Sequence, residues 1–211
     1  MRFQELVQIV ADEPVFETGL LLAGNVDATN LRRQLSRWTN TGCLLQLRRG
    51  LYALAPPWQK IKPHPFLVAN RLAPVSYVSG LSALAFAQVI PEYVAEVTSC
   101  TGGRPRTYRT ALGRFSFRHL KAGLRFGYRQ VALGGGQAAF VAEPEKALVD
   151  LIYLRPGGDD AAFLGELRLN LEVLRFQVLD DFARQSAVPK LVRAAKRIGK
   201  LSRQTPERVA L

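Results

Sequence analysis

The segment "NLRRQLSRWTNTGCLLQLRRGLYAL", Asn30 to Leu54, packs five arginines and a tryptophan into 25 residues. Leucine recurs through it on a regular beat. At about 100° per residue, Ala28, Leu31, Leu35 and Trp38 fall in one narrow stripe. Arg33 lies almost opposite that stripe, and Thr29, Asn30, Ser36, Arg37 and Asn40 share its arc, with Arg32 on the border. Asp27 or Thr29 supplies an N-cap, and Gly42 follows the end. The pattern predicts a helix with one buried face and one face of guanidinium, amide and hydroxyl groups.

Beyond Gly42, Leu44–Leu47 and Leu51–Leu54 are two short β-compatible runs around Arg48-Arg49-Gly50, where the glycine supplies positive φ at a hairpin tip. Upstream, Phe3, Leu6, Val7, Ile9 and Val10 repeat at helical spacing until "DEP". A second apolar run, "VFETGLLLAG", follows Pro14 and stops at Gly24. Helix, short helix, helix and basic-tipped hairpin is the order of a winged helix-turn-helix, whose third helix enters the major groove. Arginine pairs bidentately with guanine, asparagine and glutamine with adenine, and wing arginines neutralise phosphates. The candidate DNA-binding residues are therefore Thr29, Asn30, Arg33, Gln34, Arg37, Asn40, Arg48 and Arg49. Trp38 and Tyr52 are expected in the core.

The segment "APPWQKIKPHP" (Ala55–Pro65) carries four prolines and few apolar residues and reads as a stiff linker. The expected organisation is a winged helix-turn-helix at 1–58, a linker at 59–64, and a larger α+β domain at 65–205. In the latter, "PFLVANRLA" reads as helix, "VSYVSG" as strand, and "GLSALAFAQ" as a helix capped by Ser79. Strands follow at "AEVTSCTG", "RFSFRHL", "FGYRQVAL" and "QAAFVA", with a turn at Gly134–Gly136. "EPEKALVDLIYL" is a helix opened by Pro144 with acids at its positive end. Residues 161–203 are mostly helical, with Pro189 near the start of the last helix.

A formal net charge of +12 points to a polyanionic partner, nucleic acid before membrane. It is unevenly spread: residues 100–142 hold eight Lys/Arg and no acid. The basic blocks Arg104–Arg129 and Lys190–Arg208 bracket an acidic stretch. Arg114 and Arg118 on a strand, and Lys190, Arg193, Lys196, Arg197 and Lys200 on an amphipathic helix, are candidate phosphate contacts. A solvated face explains any one block equally well.

Two cysteines, Cys43 and Cys100, are too few for a disulfide framework or zinc site, and two histidines argue against histidine-based metal or acid–base chemistry. Leu72 to Pro91 is uncharged but interrupted by prolines, Gly80 and serines, so no membrane span is expected. Without a signal-peptide pattern, the expected location is the cytoplasm. No cofactor is called for. Gly134-Gly135-Gly136 lacks the lysine and Ser/Thr of a phosphate loop.

The ordered set "LRRGLYAL", "YVSGLSALAF" and "AEPEKALVDLIYL" resembles the AbiEi-type antitoxins of bacterial abortive-infection toxin–antitoxin systems, over about residues 5–200. The resemblance implies a transcriptional autorepressor that binds inverted repeats in its own promoter through the N-terminal domain, with antitoxicity in the larger domain. It implies a neighbouring nucleotidyltransferase-like toxin, opposed without a stable complex. Arg33 and Arg37 match the recognition helix, and Arg48 and Arg49 the wing. A repressor of this kind is not an enzyme. Two rival readings are a magnesium-dependent nuclease using Glu143, Glu145 and Asp150, and a basic protein-interaction module.

Overall fold

The computed structural model describes residues 1–10, 12–22 and 27–204. The expected stop at Gly24 and the end of the Lys190–Arg208 block, from residue 205, lie outside the described residues. The architecture is α+β, as the patterning predicts.

The N-terminal unit runs α1 (Phe3–Val10), β1 (Phe16–Glu17), α2 (Thr18–Leu21), α3 (Ala28–Asn40), β2 (Leu44–Arg48) and β3 (Leu51–Leu54). Asp27 caps α3, its carboxylate accepting from the Thr29 amide at 2.8 Å. Gly42 follows the helix at φ 76°, a conformation that disfavours any residue with a Cβ. The stripe lands where the angles put it: Leu31, Leu35 and Trp38 are buried against Leu6, Val10, Phe16, Leu21, Leu44, Tyr52 and Leu54. Each such large side chain contributes roughly 1.5–3 kcal/mol on burial. Phe3 packs on Trp38 at a centroid distance of 5.3 Å. The hairpin gains a third strand that local patterning does not reveal, since β1 pairs with β3 in the order β1-β3-β2.

The larger unit is built on a mixed six-stranded sheet. Its elements are α4 (Pro65–Leu72), β4 (Ser76–Val78), α5 (Gly80–Phe86), β5 (Glu96–Thr101), β6 (Arg106–Thr110), β7 (Gly113–His119), β8 (Tyr128–Gly134) and β9 (Gln137–Ala142), then α6 (Pro144–Leu154), α7 (Ala161–Glu166), α8 (Phe176–Gln185) and α9 (Pro189–Gln204). The strand order is β6-β7-β5-β4-β9-β8, with β4–β9 and β5–β7 parallel and the other pairs antiparallel.

Helix α6 is more deeply buried than its acid-and-lysine start suggests. Lys146 and Asp150 are an inaccessible i,i+4 ion pair. Asp150 also accepts from the Tyr77 hydroxyl at 3.0 Å and the Ser79 hydroxyl at 2.7 Å. Ser79 therefore does not cap α5 with its side chain, contrary to the sequence-based expectation. Its hydroxyl satisfies a buried carboxylate instead, where an unmet charge costs far more than an uncapped amide. The Lys146 ammonium lies 5.0 Å from the Phe126 ring centroid. Burial, outweighing the lysine and the hydroxyls, holds the Asp150 carboxyl above the ordinary range. It likewise pushes up the Cys100 thiol.

The proline-rich segment does not hang free. The Gln59 amide donates to the Leu54 carbonyl at 2.9 Å. Gln137, the first residue of β9, accepts from the His64 amide and donates to the Lys62 carbonyl. Val15, Leu47, Leu51 and Ala53 of the N-terminal unit join the same apolar cluster as Phe66, Val68 and Leu72. The two units thus meet across a packed seam.

Candidate nucleic-acid interface

The polar arc of α3 faces outward as a set. Thr29, Asn30, Arg33, Arg37 and Asn40 are exposed. Gln34 is half-buried and donates to Asn30 at 3.4 Å, along one turn of the helix. Arg33 and Arg37 form no ion pair among the described residues, so both guanidinium forks are presented to solvent. A helix face that only needed solubility would more often intersperse acids with these cations. Here α3 contains none.

The two arginines of the β2–β3 hairpin separate. Arg49 sits exposed at the tip beside Gly50, whose φ of 81° makes the turn and whose carbonyl accepts from the Thr18 amide at 2.9 Å. Arg48 turns back into the seam, pairing with Glu17 at 3.3 Å and donating to the Arg71 carbonyl at 3.3 Å. Its side chain is only 27% exposed, and its Nε has no partner among the described residues. A bulge between Gln46 and Arg48 shifts the register of β2 against β3 and interrupts the alternation of faces beside Arg48.

That seam is basic. A cleft of about 290 Å³ is lined by Arg48 from the hairpin and by Arg104 and Arg106 from the start of the edge strand β6, over Pro74, Tyr108 and Phe117. Arg104 and Arg106 are exposed, with no ion pair among the described residues. They belong to the basic block, but nothing in the sequence places them beside the hairpin.

The remaining candidates divide by what they touch. Arg114 pairs with Glu96 at 2.8 Å, whereas Arg118 is exposed and unpaired among the described residues. Lys190 donates to the Tyr153 and Arg155 carbonyls at the end of α6, where a cation meets the negative end of the helix. Arg193 pairs with Asp159 at 2.8 Å, and Arg197 donates to the Asp159 carbonyl. These three tie α9 to the α6–α7 connection. Lys196 and Lys200 stay exposed, lining a hollow of about 380 Å³ with Asp180 and Arg184 of α8.

The three carboxylates considered for a metal do not converge. Glu143 and Glu145 both clasp Arg175, which also donates its backbone amide to Glu145 at 2.8 Å. Burial alone would raise Glu145, but the Arg175 hydrogen bonds outweigh it and hold the carboxyl below its ordinary value. Asp150 belongs to the buried Lys146 pair. Among the described residues, no group of three or more His, Cys, Asp or Glu is arranged to hold a metal ion. His64 caps α4, its Nδ1 accepting from the Phe66 amide at 3.1 Å, and burial lowers its pKa. His119 faces the Gly103 carbonyl at 3.0 Å. No helix among the described residues is long and apolar enough to cross a membrane.

No family model matches the chain, and no curated protein matches it. Among solved structures, the chain is similar in fold to the crystal structure of the RV2827C protein from Mycobacterium tuberculosis, with a TM-score of 0.54 at 16% identity. The likeness covers 94% of this chain and 79% of that one. At that identity it speaks to the fold alone.

Proposed function

We propose that this chain is a DNA-binding transcriptional repressor of the AbiEi antitoxin type, acting on its own promoter. The element order and the β1-β3-β2 sheet support reading the N-terminal unit as a winged helix-turn-helix with α3 as recognition helix and the β2–β3 hairpin as wing. The observation that carries the proposal is the outward face of α3: two arginines without an ion pair among the described residues, set among amides and hydroxyls and backed by a fully apolar stripe. In the major groove Arg33 and Arg37 meet guanine edges, Asn30, Gln34 and Asn40 are placed for adenine or phosphate, and Thr29 at the helix start meets the backbone. Arg49 neutralises phosphate from the wing. Arg104 and Arg106 extend the positive track onto the larger unit, while Arg48 holds the seam together. Lys196 and Lys200 are the cations of α9 left over for phosphate.

The resemblance in "YVSGLSALAF" and "AEPEKALVDLIYL" supports assigning antitoxicity to the larger unit, with a nucleotidyltransferase-like toxin as functional partner and no stable complex. Those segments form the buried Tyr77–Ser79–Lys146–Asp150 network, so their role is to hold the unit's shape. The clasp on Arg175 and the buried lysine pair occupy the carboxylates that a nuclease would need, which favours binding over cleavage. The test is a reporter fused to the chain's own upstream DNA. Wild-type protein is expected to repress it, and Arg33→Ala is expected to relieve repression at equal protein level. Unchanged repression by Arg33→Ala removes α3 as the reading element.

A further inference from the structure

A sheet face covered by helices is ordinarily apolar. One patch of this sheet departs from that rule. In register across the parallel pair, β5 and β7 align Glu96 with Arg114, Thr98 with Ser116, and Cys100 with Arg118, and β6 sets Thr107 against Ser116. Because residues two apart share a face, these side chains form one polar floor. The opposite face of the same strands carries Val97, Phe115 and Phe117, all buried in the core. Above the floor the helices do not close. A cleft of about 610 Å³ remains, walled by Leu81 of α5, Leu151 and Leu154 of α6, Phe163 of α7, and Leu167 just past its end.

The charge in the cleft is one-sided. Arg114, Arg118 and Arg155 all line it, against Glu96 alone. Glu96 orients Arg114 at 2.8 Å, and Arg155 is held over the Phe163 ring, 4.3 Å from its centroid. Arg118 has no partner among the described residues. The Ser116 and Thr98 hydroxyls lie 3.2 Å apart between the cations, with Ser116 only 9% exposed. Guanidinium forks beside hydroxyl donors are the groups that recognise a phosphoryl oxygen. Apolar walls with an aromatic ring at one side suit a flat apolar body, and the volume lies in the range of small-molecule sites.

The geometry points to a binding site for a mononucleotide in this cleft: its phosphate on Arg118, Arg114 and the Thr98–Ser116 hydroxyls, its base against Phe163 and the leucine wall. The site lies on the sheet of the larger unit, away from α3, and does not depend on the DNA-binding reading. It gives the larger unit a ligand of its own, and occupancy would join β5 and β7 to α6 and α7.

The test is calorimetric titration of the full chain with AMP, ATP, adenosine and inorganic phosphate, at fixed ionic strength. AMP or ATP is expected to saturate at one per chain, with adenosine at least about tenfold weaker for want of charge-assisted hydrogen bonds. Arg118→Ala, at an exposed position, should weaken AMP by at least about tenfold with an unchanged melting temperature. Phe163→Ala supplies an independent variant at the base wall and should weaken AMP but not phosphate. Arg33→Ala should leave AMP binding intact whatever it does to DNA, so failure of one reading is distinguishable from failure of the other. The assignment is overturned by absence of saturable heat at millimolar nucleotide, by equal affinities for AMP and inorganic phosphate, or by an Arg118→Ala protein that binds AMP like wild type. Loss of AMP binding in Arg33→Ala would also overturn it, by placing the nucleotide on the DNA face.

Discussion

Replacing Lys146 with methionine removes a buried ammonium and leaves its partner stranded. Lys146 is fully inaccessible and the Asp150 side chain is 2% exposed, so water cannot take the place of the missing cation. Two donors remain on Asp150, the Tyr77 and Ser79 hydroxyls. They satisfy its lone pairs but not its charge. Breaking one side of a buried pair costs about 3–5 kcal/mol. For a chain of this size that is a fall of roughly 6–20 °C in melting temperature. The pH dependence has a definite sign. Burial already holds the Asp150 carboxyl above its ordinary value, and Lys146 is among the groups drawing it back down. A raised carboxyl favours the folded state when protonated, and that advantage is lost as pH rises through its folded value. Without the lysine the value climbs further, so the variant's deficit is full at neutral pH and shrinks on acidification. The Lys146→Met/Asp150→Asn double variant keeps an oxygen acceptor for both hydroxyls without a charge, and should recover about 2 kcal/mol or more of the loss. Denaturant melts of wild type, single and double variants between neutral and mildly acidic pH measure all of this. A single variant that loses less than about 1 kcal/mol, or a double variant no better than the single, would mean that Lys146 does not balance a buried Asp150 charge.

Other outcomes follow from the interface and its supports. Arg33→Ala should lose about 1–3 kcal/mol of discrimination between operator and scrambled duplex, read as the ratio of two dissociation constants. Arg104→Ala/Arg106→Ala should weaken both duplexes together and lower the slope of log affinity against log salt by about 0.9 for each phosphate no longer neutralised; an unchanged slope would take the seam off the DNA path. Arg175→Gln strips two side-chain donors from inaccessible Glu145. Because the folded Glu145 value lies below the ordinary one, its stabilisation is present above the unfolded value and lost as pH falls through the folded one. The Arg175→Gln protein should therefore be less stable at neutral pH and lose less on acidification, as followed by urea melts; a parallel acid limb would contradict the pairing.

What the sequence makes legible is whatever is written in local periodicity and caps. The stripe of Leu31, Leu35 and Trp38, the Asp27 cap, the Gly50 tip, and Pro144 and Pro189 at their helix starts each stand on residues within one or two turns of each other. The α+β architecture follows from those pieces. Pairings between distant residues are not legible. Two-residue β1 has no pattern of its own and exists because β3 offers an edge. In β6, "RTYRT" hides its strand because the outer edge of a sheet tolerates polar residues on both faces. Arg48 and Arg49 are adjacent and chemically identical, and only the seam distinguishes the half-buried arginine from the exposed one. Lys190, Arg193 and Arg197 read as a free basic face because their partners, two carbonyls and Asp159, lie more than thirty residues away. The polar floor of β5 and β7 is visible in the sequence only as alternation, which by itself signals nothing more than a strand.

If α3 reads the chain's own upstream DNA, a gel-shift titration on that DNA and on a scrambled duplex, at two salt concentrations, will show it. The upstream duplex should be retarded selectively, with binding that weakens steeply as salt rises. Equal, weak retardation of both duplexes would contradict it.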